Sequence, residues 1–197
     1  GFPPSAVIYW DLRNFFDPRN YKNKGSCSLP LPDFVGVNGE VSKNTYLNGG
    51  YPQQDLLEVE SLRYLYLSNF SDLKTKRNED PSKEKTVLVV GDYLRENTYK
   101  QLNILSSAIT DVEQLVRYII KPHPACPVNM ADFPSLLGEL STKPIQELLT
   151  ISDIVYSSLI TSAAIDAYCA GLPIITLLEG KTLNMSPLRG SKGVNFV

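Results

Sequence analysis

The sequence predicts an α/β protein built on a doubly wound parallel sheet, together with part of a second α/β domain. Three observations support this prediction. Apolar, β-branched runs alternate with segments of helical periodicity, which is typical of parallel sheets whose crossovers are helices. The strand-like runs contain few polar side chains, as expected for strands buried on both faces. A polar, charged stretch at 71–85 separates the two halves of the chain.

The first half has the weaker signals. Its predicted elements are strands over 5–10 and 33–39, a loop over 17–32, a helix over 40–50 that stops at a glycine pair, and a mixed strand and helical turn over 55–67. We interpret 1–70 as the C-terminal part of an N-terminal domain. The proline and dense charge of 71–85 are typical of a linker.

The second half, 86–197, is predicted to be a complete strand–helix–strand domain. Residues 86–93 form a continuous β-branched run, and 161–171 reads as a helix that starts at Thr161 and Ser162 and stops at Gly171. The remaining predicted elements are a helix over 96–109, a strand within 114–124, a short helix or turn over 132–140, a helix over 144–152, and strands over 153–158, 172–178 and 193–197.

Composition excludes several classes of protein. Of the 197 residues, 43% are hydrophobic and 20% charged, and the net charge is −2. A nucleic-acid-binding domain usually has a strongly basic face, so we expect no nucleic-acid partner. No apolar run reaches the length of about 18 residues that a transmembrane helix needs. The three cysteines have no metal-ligand spacing, and their odd number argues against a disulfide framework, so we expect reduced thiols in a cytoplasmic protein. Strand-like segments at both ends of the chain suggest a piece of a longer protein.

Ligands of open parallel sheets bind beyond the carboxyl ends of the strands, and three predicted strand ends carry suggestive residues. The first is Gly91-Asp92-Tyr93. A glycine after a buried strand lets a ligand approach the backbone closely. The alternative is a tight turn in which Asp92 caps the next helix.

The second strand end is Lys121-Pro122-His123-Pro124, which holds the only histidine of the chain. Each proline fixes its own φ and restricts the preceding residue, so His123 is presented in a stiff frame. An imidazole held in this way can donate a hydrogen bond to a phosphate oxygen, and Lys121 can add charge. The alternative is a structural histidine whose hydrogen bonds are satisfied within a turn.

The third strand end is the hydroxyl cluster Ser157, Ser158, Thr161 and Ser162. It precedes a predicted helix, whose N-terminal N–H groups and dipole favour anions. Asp166 lies one turn further on and faces either the same cleft or solvent. The alternative is N-capping alone, although one hydroxyl would suffice for a cap. The chain contains no P-loop, no G-x-G-x-x-G and no G-x-S-x-G, so the three loops together predict a nucleotide or nucleotide-sugar pocket.

These motifs resemble a known family. KPHP, followed by SS…TSAAIDAYCAGLPII, resembles the Rossmann-like nucleotide-binding half of GT-B glycosyltransferases that use CMP-activated acidic sugars, the bacterial sialyltransferases and Kdo transferases. The segments VNGEVSKNTYLNGGYP, LEVESLRYLYL and VLVVGDY are similar to bacterial surface-carbohydrate biosynthesis proteins. The resemblance extends over most of the chain, from about residue 5 to its end.

The resemblance implies a role for each candidate residue. His123 would bind the CMP phosphate with Lys121 beside it, the hydroxyl cluster would complete the phosphate site, and Pro124 would line the base pocket. The base and ribose would also contact Gly91, Asp92, Tyr93, Glu147 or Asp166, where many GT-B enzymes have Glu in place of Asp166. The acidic D/E-D/E-G motif that carries the general base of bacterial sialyltransferases is missing from this sequence, and Asp11 is the one weak candidate.

The implied activity is metal-independent, inverting transfer of an acidic sugar from CMP to a surface saccharide or lipid-linked acceptor, with no cofactor. A lipid-linked acceptor would add peripheral contact with the inner face of the membrane. Growing charge on the leaving phosphate would be stabilised by the donors placed around it. Two alternatives remain: a UDP-sugar 2-epimerase, which shares the fold and would prefer uridine nucleotides, and a non-catalytic α/β interaction domain, which would bind no nucleotide.

Overall fold

The structure, a computed structural model, describes residues 15–17, 32–70, 84–111 and 116–197. The chain divides into two compact units, residues 1–65 and 66–197. The predicted strand over 5–10, nearly all of the predicted loop over 17–32 and nearly all of the predicted linker over 71–85 lie outside the described residues.

In the described part of the first unit, two short parallel strands are joined through one α-helix and a 3-10 turn, Gln53–Asp55. The strands and the helix are β1 (Val35–Val37), α1 (Glu40–Asn48) and β2 (Leu56–Glu58), with Val35 paired to Leu56 in the ladder. Glu40 in the first turn of α1 suits the positive end of the helix dipole. Gly39 precedes α1 with φ 98°, a conformation open to glycine and strained for other residues. The predicted strand over 33–39 and the predicted helix over 40–50 are confirmed.

Among its described residues, the second unit has one sheet of six parallel strands. They are β3 (Lys85–Val90), β4 (Val116–Lys121), β5 (Gly138–Leu140), β6 (Ile154–Ser157), β7 (Ile174–Thr176) and β8 (Val194–Phe196). Their spatial order is β5-β4-β3-β6-β7-β8. This is the strand order of the dinucleotide-binding α/β sheet, in which the chain reverses its direction of travel between the first and fourth strands. The reversal, or switch point, therefore lies between β3 and β6.

Three helices connect these strands: α2 (Arg95–Ala108), α3 (Ile145–Ile151) and α4 (Ser162–Cys169). Thr161 caps α4, because its Oγ1 accepts a hydrogen bond from the Ala163 N–H at 3.4 Å. Within the described chain, no helix is both long enough and apolar enough to span a membrane.

Both faces of the sheet are largely buried along its four inner strands, β4, β3, β6 and β7. One face packs on α2 through Leu102, which joins Val89, Ile120 and Tyr156 in one apolar cluster. Side chains alternate between the faces of a strand, so Leu88, Ile119 and Val155 face the other side, and all three are 0% exposed. Burial of both faces explains why the strands read as continuous apolar runs. The predicted doubly wound parallel sheet is confirmed.

The segment 132–140 was predicted to be a short helix or turn, and the structure has a turn over 133–136, closed by the Leu136 N–H donating to the Phe133 carbonyl oxygen at 3.0 Å, and then a strand that was not predicted. The segment begins with the end of a single 3-10 turn, Met130–Asp132, and ends in the three-residue edge strand β5. Phe133 and Leu136 are buried in the apolar cluster that contains Leu102, and they anchor the segment. Among the described strands, β5 pairs with β4 alone, and its three residues include Gly138. It therefore lacks the continuous β-branched run by which the other strands were found.

Candidate functional site

The three suggestive loops follow β3, β4 and β6, so they lie at the carboxyl ends of neighbouring strands on the two sides of the switch point. The ladder pairs Val90 of β3 with Lys121 of β4 on one side and with Ser157 of β6 on the other. The Gly91 N–H donates to the Lys121 carbonyl oxygen at 3.1 Å, which continues the β3–β4 contact into the loop. The fold therefore brings the first and second loops, and the first and third, into direct contact.

Asp92 is the centre of this arrangement. Its side chain is 2% exposed, and its carboxylate accepts hydrogen bonds from the Leu94 N–H at 3.0 Å, the Asn97 Nδ2 at 3.1 Å and the Ser158 Oγ at 3.2 Å. The backbone N–H of Asp92 donates to Thr98 Oγ1 at 2.8 Å. Asp92 thus ties the loop after β3 to the loop after β6. The N-cap of α2 is Leu94 and makes no side-chain cap hydrogen bond, so the sequence alternative in which Asp92 caps this helix is not confirmed, although Asp92 accepts from the Leu94 N–H just before the helix.

His123 is held by its own turn. The Cys126 N–H donates to the His123 carbonyl oxygen at 2.8 Å, which closes a turn with Pro124 at its second position. The Ala125 N–H donates to His123 Nδ1 at 3.1 Å. Since Nδ1 is an acceptor, the neutral imidazole carries its hydrogen on Nε2. The exposed ring therefore presents an N–H donor, which is the form needed to bind an anion.

Gly91 stands where a side chain would be tightly packed. A Cβ at this position would lie 3.2 Å from Thr98 Oγ1 and Cγ2 and 3.5 Å from the backbone nitrogen of His123. Tyr93, two residues on, is exposed and places its ring edge-on to the His123 ring, with 6.4 Å between the centroids. A larger residue at position 91 would therefore require Thr98 of α2 to shift by a few tenths of an ångström, independently of any ligand.

The four hydroxyls of the third loop have different roles. Ser157 is 0% exposed, and its Oγ lies 3.0 Å from Thr176 Oγ1 in the neighbouring strand, so it is part of the sheet interior. Ser158 donates to Asp92. Thr161 caps α4, and Ser162 is its first residue. Thr161 and Ser162 alone therefore flank the N-terminus of α4.

Four predicted residues lie apart from this group or outside the described chain. Lys121 donates through Nζ to the Lys143 carbonyl oxygen at 2.7 Å, towards the start of α3. Glu147 is exposed on α3 and lines a shallow depression beside Lys143. Asp166 is 2% exposed, within α4. Asp11, the candidate base, lies outside the described residues.

A cleft of about 390 Å³ opens beside the switch point, at the carboxyl ends of β6 and β7. Its lining includes Asn97 and Ser158, which both donate to Asp92. The other lining residues belong to the loops after β6 and β7: Leu159, Ile160, Leu177, Glu179, Thr182, Leu183 and Met185. The sequence analysis did not identify Asn97 or the loop after β7. The rule that ligands bind beyond strand ends applies equally to the loop after 172–178 and would have pointed to Glu179 and Thr182.

The charges around this cleft are paired. Glu179 Oε1 lies 2.6 Å from the Lys100 Nζ of α2, and its backbone carbonyl oxygen accepts from Thr182 Oγ1 at 2.9 Å. Beneath the site, burial raises the pKa of Tyr156 to about 12, and this side chain therefore stays neutral. Within the described ranges, no group of three or more acidic, histidine or cysteine side chains is placed to hold a metal ion.

Comparison with known proteins identifies the fold. No family model and no curated protein matches the chain. The solved UDP-GlcNAc 2-epimerase from Methanocaldococcus jannaschii is similar to it with 13% identity and a TM-score of 0.52, over 84% of this chain and 51% of the epimerase chain. The likeness shows a shared Rossmann-like α/β fold, as expected for one half of a GT-B protein.

Two further structures are similar at lower scores. The glycosyltransferase SnogD from Streptomyces nogalater has 16% identity and a TM-score of 0.46, over 58% of this chain and 31% of that one. HepE from Anabaena, solved in complex with UDP-glucose, has 13% identity and a TM-score of 0.44, over 76% of this chain and 46% of that one. The chain spans about half or less of the length of each of these three structures.

Proposed function

We propose that residues 66–197 form the donor half of a glycosyltransferase and bind a nucleotide sugar at the carboxyl ends of β3, β4 and β6. The observation that carries this proposal is the His123 imidazole. Its turn fixes Nδ1 as an acceptor and so leaves an exposed Nε2–H donor next to the switch point of the sheet. Nucleotides bind at this place in doubly wound folds.

The chemistry of glycosyl transfer suits these groups. The bond from the sugar to the phosphate breaks, and negative charge grows on the leaving phosphate. A donor that strengthens its hydrogen bond as this charge develops accelerates the step. His123 Nε2–H fills that role, with the N-terminus of α4 and the Thr161 hydroxyl as further phosphate donors. The Thr161 Oγ1 accepts from the Ala163 N–H, so its own hydrogen is available to a ligand.

Transfer without a metal and with inversion remains part of the proposal, because it follows from the resemblance to the CMP-sugar enzymes. The same resemblance makes a CMP-activated acidic sugar the first donor to test and a surface saccharide or lipid-linked saccharide the acceptor. By the same resemblance, the general base and the acceptor site would belong to the N-terminal domain.

A second candidate is a UDP-sugar 2-epimerase. The observation that favours it is the likeness of the fold to the solved UDP-GlcNAc 2-epimerase. This candidate predicts a preference for uridine nucleotides. It also predicts inversion at C2 when UDP-GlcNAc is incubated with the protein, which proton NMR would detect.

The test is calorimetric titration and thermal melting of the 197-residue chain with CMP, UMP, UDP, GDP and AMP. A ligand at about 100 times its Kd adds roughly 2.7 kcal/mol to the free energy of unfolding, which gives a clear melting shift. We expect one pyrimidine nucleotide to bind selectively. A selective rise with CMP would favour a CMP-sugar glycosyltransferase. A selective rise with UDP would be compatible with a UDP-sugar glycosyltransferase and with the epimerase, which the NMR assay of inversion at C2 would then distinguish.

The variants are His123→Ala and His123→Gln. His123→Ala removes the proposed phosphate donor, and we expect the Kd to rise at least about tenfold, the loss of one hydrogen bond to a charged group. His123→Gln keeps an N–H donor and should recover part of the affinity. Absence of binding by every nucleotide, or equal affinity of wild type and His123→Ala, would refute the proposal.

A further inference from the structure

Of the four polar side chains that line the cleft beside β6 and β7, three are hydrogen-bond acceptors towards a ligand: Ser158, Glu179 and Thr182. A hydroxyl has one hydrogen to donate. The Ser158 hydrogen goes to the Asp92 carboxylate at 3.2 Å, and the Thr182 hydrogen goes to the Glu179 carbonyl oxygen at 2.9 Å. Both hydroxyls therefore offer only lone pairs to whatever enters the cleft.

The two other polar side chains of the cleft are Glu179 and Asn97. The Glu179 carboxylate is an acceptor, and its one charge is matched by Lys100 at 2.6 Å. Asn97 donates one of its amide hydrogens to Asp92 at 3.1 Å and keeps one donor and its carbonyl oxygen. Among the described residues that line the cleft, none is basic.

The remaining lining is apolar and matches a sugar ring in shape and chemistry. It consists of Leu159, Ile160, Leu177, Leu183 and Met185. A pyranose has C–H faces that pack on such side chains and a rim of hydroxyls that donate hydrogen bonds. A sugar carboxylate is an acceptor only, so it would face the lone pairs of Ser158 and Thr182 and the Glu179 carboxylate, whose one nearby cation, Lys100, is already paired with Glu179.

We propose that this cleft holds the glycosyl ring of the donor and selects a neutral, hydroxyl-rich sugar over a sugar that bears a carboxylate. The inference rests on the proposed nucleotide-sugar binding and goes beyond it, because it names the class of sugar. It also opposes the acidic sugar that the sequence resemblance implies. Ser158 is a positioning and recognition residue for a ring hydroxyl here, and the phosphate contact is left to His123 and Thr161.

The test uses two donors that differ at one carbon. UDP-glucose carries a hydroxymethyl group at C6, and UDP-glucuronate carries a carboxylate there. We expect UDP-glucuronate to bind at least about tenfold more weakly in calorimetric titrations, because its carboxylate would enter a cleft whose lining has a carboxylate and no basic side chain, and like charges placed side by side are unfavourable. If the protein binds CMP and not UDP, the comparison is CMP with CMP-sialic acid, and we expect the sialic acid conjugate to bind more weakly than CMP itself.

The decisive variant is Glu179→Gln, which supplies an amide donor in place of the carboxylate. The gap between UDP-glucose and UDP-glucuronate should narrow to about threefold or less. Glu139→Gln is the matched control, because Glu139 is also paired with a basic side chain, Arg117, at 2.6 Å and lies on β5, away from the cleft. The control should keep the gap of the wild type.

The outcomes of these experiments distinguish the proposed nucleotide-sugar binding from the proposed selection of a neutral sugar. Failure of both bare UDP and bare CMP to bind would overturn the proposed function and this inference with it. Binding of a bare nucleotide combined with equal or tighter binding of the carboxylate sugar would overturn the inference alone. A gap that persists unchanged in Glu179→Gln would also overturn it, since the selection would then arise elsewhere.

Discussion

The buried hydroxyl pair of Ser157 and Thr176 leads to a quantitative prediction. The two oxygens lie 3.0 Å apart, and the residues are 0% and 1% exposed. Ser157→Ala leaves the Thr176 hydroxyl without its partner, and Thr176→Val does the same to Ser157. Because a buried polar group without a partner costs about 1–3 kcal/mol, each single variant should lose about that much stability. The double variant removes both polar groups and should cost little more than either single change.

The measurement is urea unfolding of the four proteins, followed by far-UV circular dichroism. Since the slope of unfolding free energy with urea is about 1–3 kcal/mol per molar for proteins of moderate size, a loss of about 2 kcal/mol moves the midpoint by roughly 1 M. We expect a coupling energy of about 1–2 kcal/mol between the two sites. Additive losses would mean that the hydroxyls do not interact.

The same variants examine whether Ser157 binds phosphate, as the sequence resemblance implies. If its hydroxyl is committed to Thr176, both single variants should bind nucleotide with the affinity of the wild type. A loss of affinity in Ser157→Ala that is not seen in Thr176→Val would contradict this reasoning and place the Ser157 hydroxyl on the ligand.

Three further predictions concern the sheet of the second unit. Gly138→Ala would place a Cβ 2.1 Å from Ile120 Cδ1, and the overpacking should cost about 1–3 kcal/mol, seen as a lower melting temperature; an unchanged melting temperature would show that Ile120 moves freely. Burial raises the pKa of Tyr156 from 10.0 to about 12 in the folded protein. Below pH 10 the side chain is neutral in both the folded and the unfolded state, so the stability is complete there. As pH rises towards 12 the unfolded state ionises first, and the free energy of unfolding falls by at most about 2–3 kcal/mol. The Tyr156→Phe variant should lose less stability than the wild type over this pH range in urea titrations. Equal losses in the two proteins would refute the raised pKa of Tyr156. Glu139→Ala breaks the exposed pair with Arg117 and should leave the melting temperature unchanged, in low and high salt alike, because exposed ion pairs contribute little; a clear fall at low salt would contradict this.

The sequence predicted the sheet because the apolar runs are long. Strands such as 86–93 are buried on both faces, so the buried surface itself appears in the sequence as a continuous β-branched segment. β5 was missed because it is an edge strand of three residues that includes a glycine, so its sequence contains no continuous β-branched segment. The positions of His123 and of the α4 cap also followed from local chemistry, since prolines and N-cap hydroxyls act within a few residues.

The residues of the site were harder to assign than its location. The hydroxyls of 157–162 look alike in sequence, yet one is bonded inside the sheet, one to Asp92, and one to its own helix. These differences depend on Thr176 and Asp92, which lie far along the chain, so a local pattern does not contain them. The direction of the Lys121 side chain is fixed by the Lys143 carbonyl oxygen in the same way.

The central position of β3 has a consequence for how the second unit folds. β3 is the first strand of the sheet to leave the ribosome, and one of its edges is completed only by β6, where the Thr86 N–H meets the Asp153 carboxylate 67 residues later. Such distant pairing makes folding slow, and the open edge of β3 is available to other chains until β6 arrives. We therefore expect chains that end before β6 to aggregate, and synthesis at low temperature to raise the yield of the folded protein.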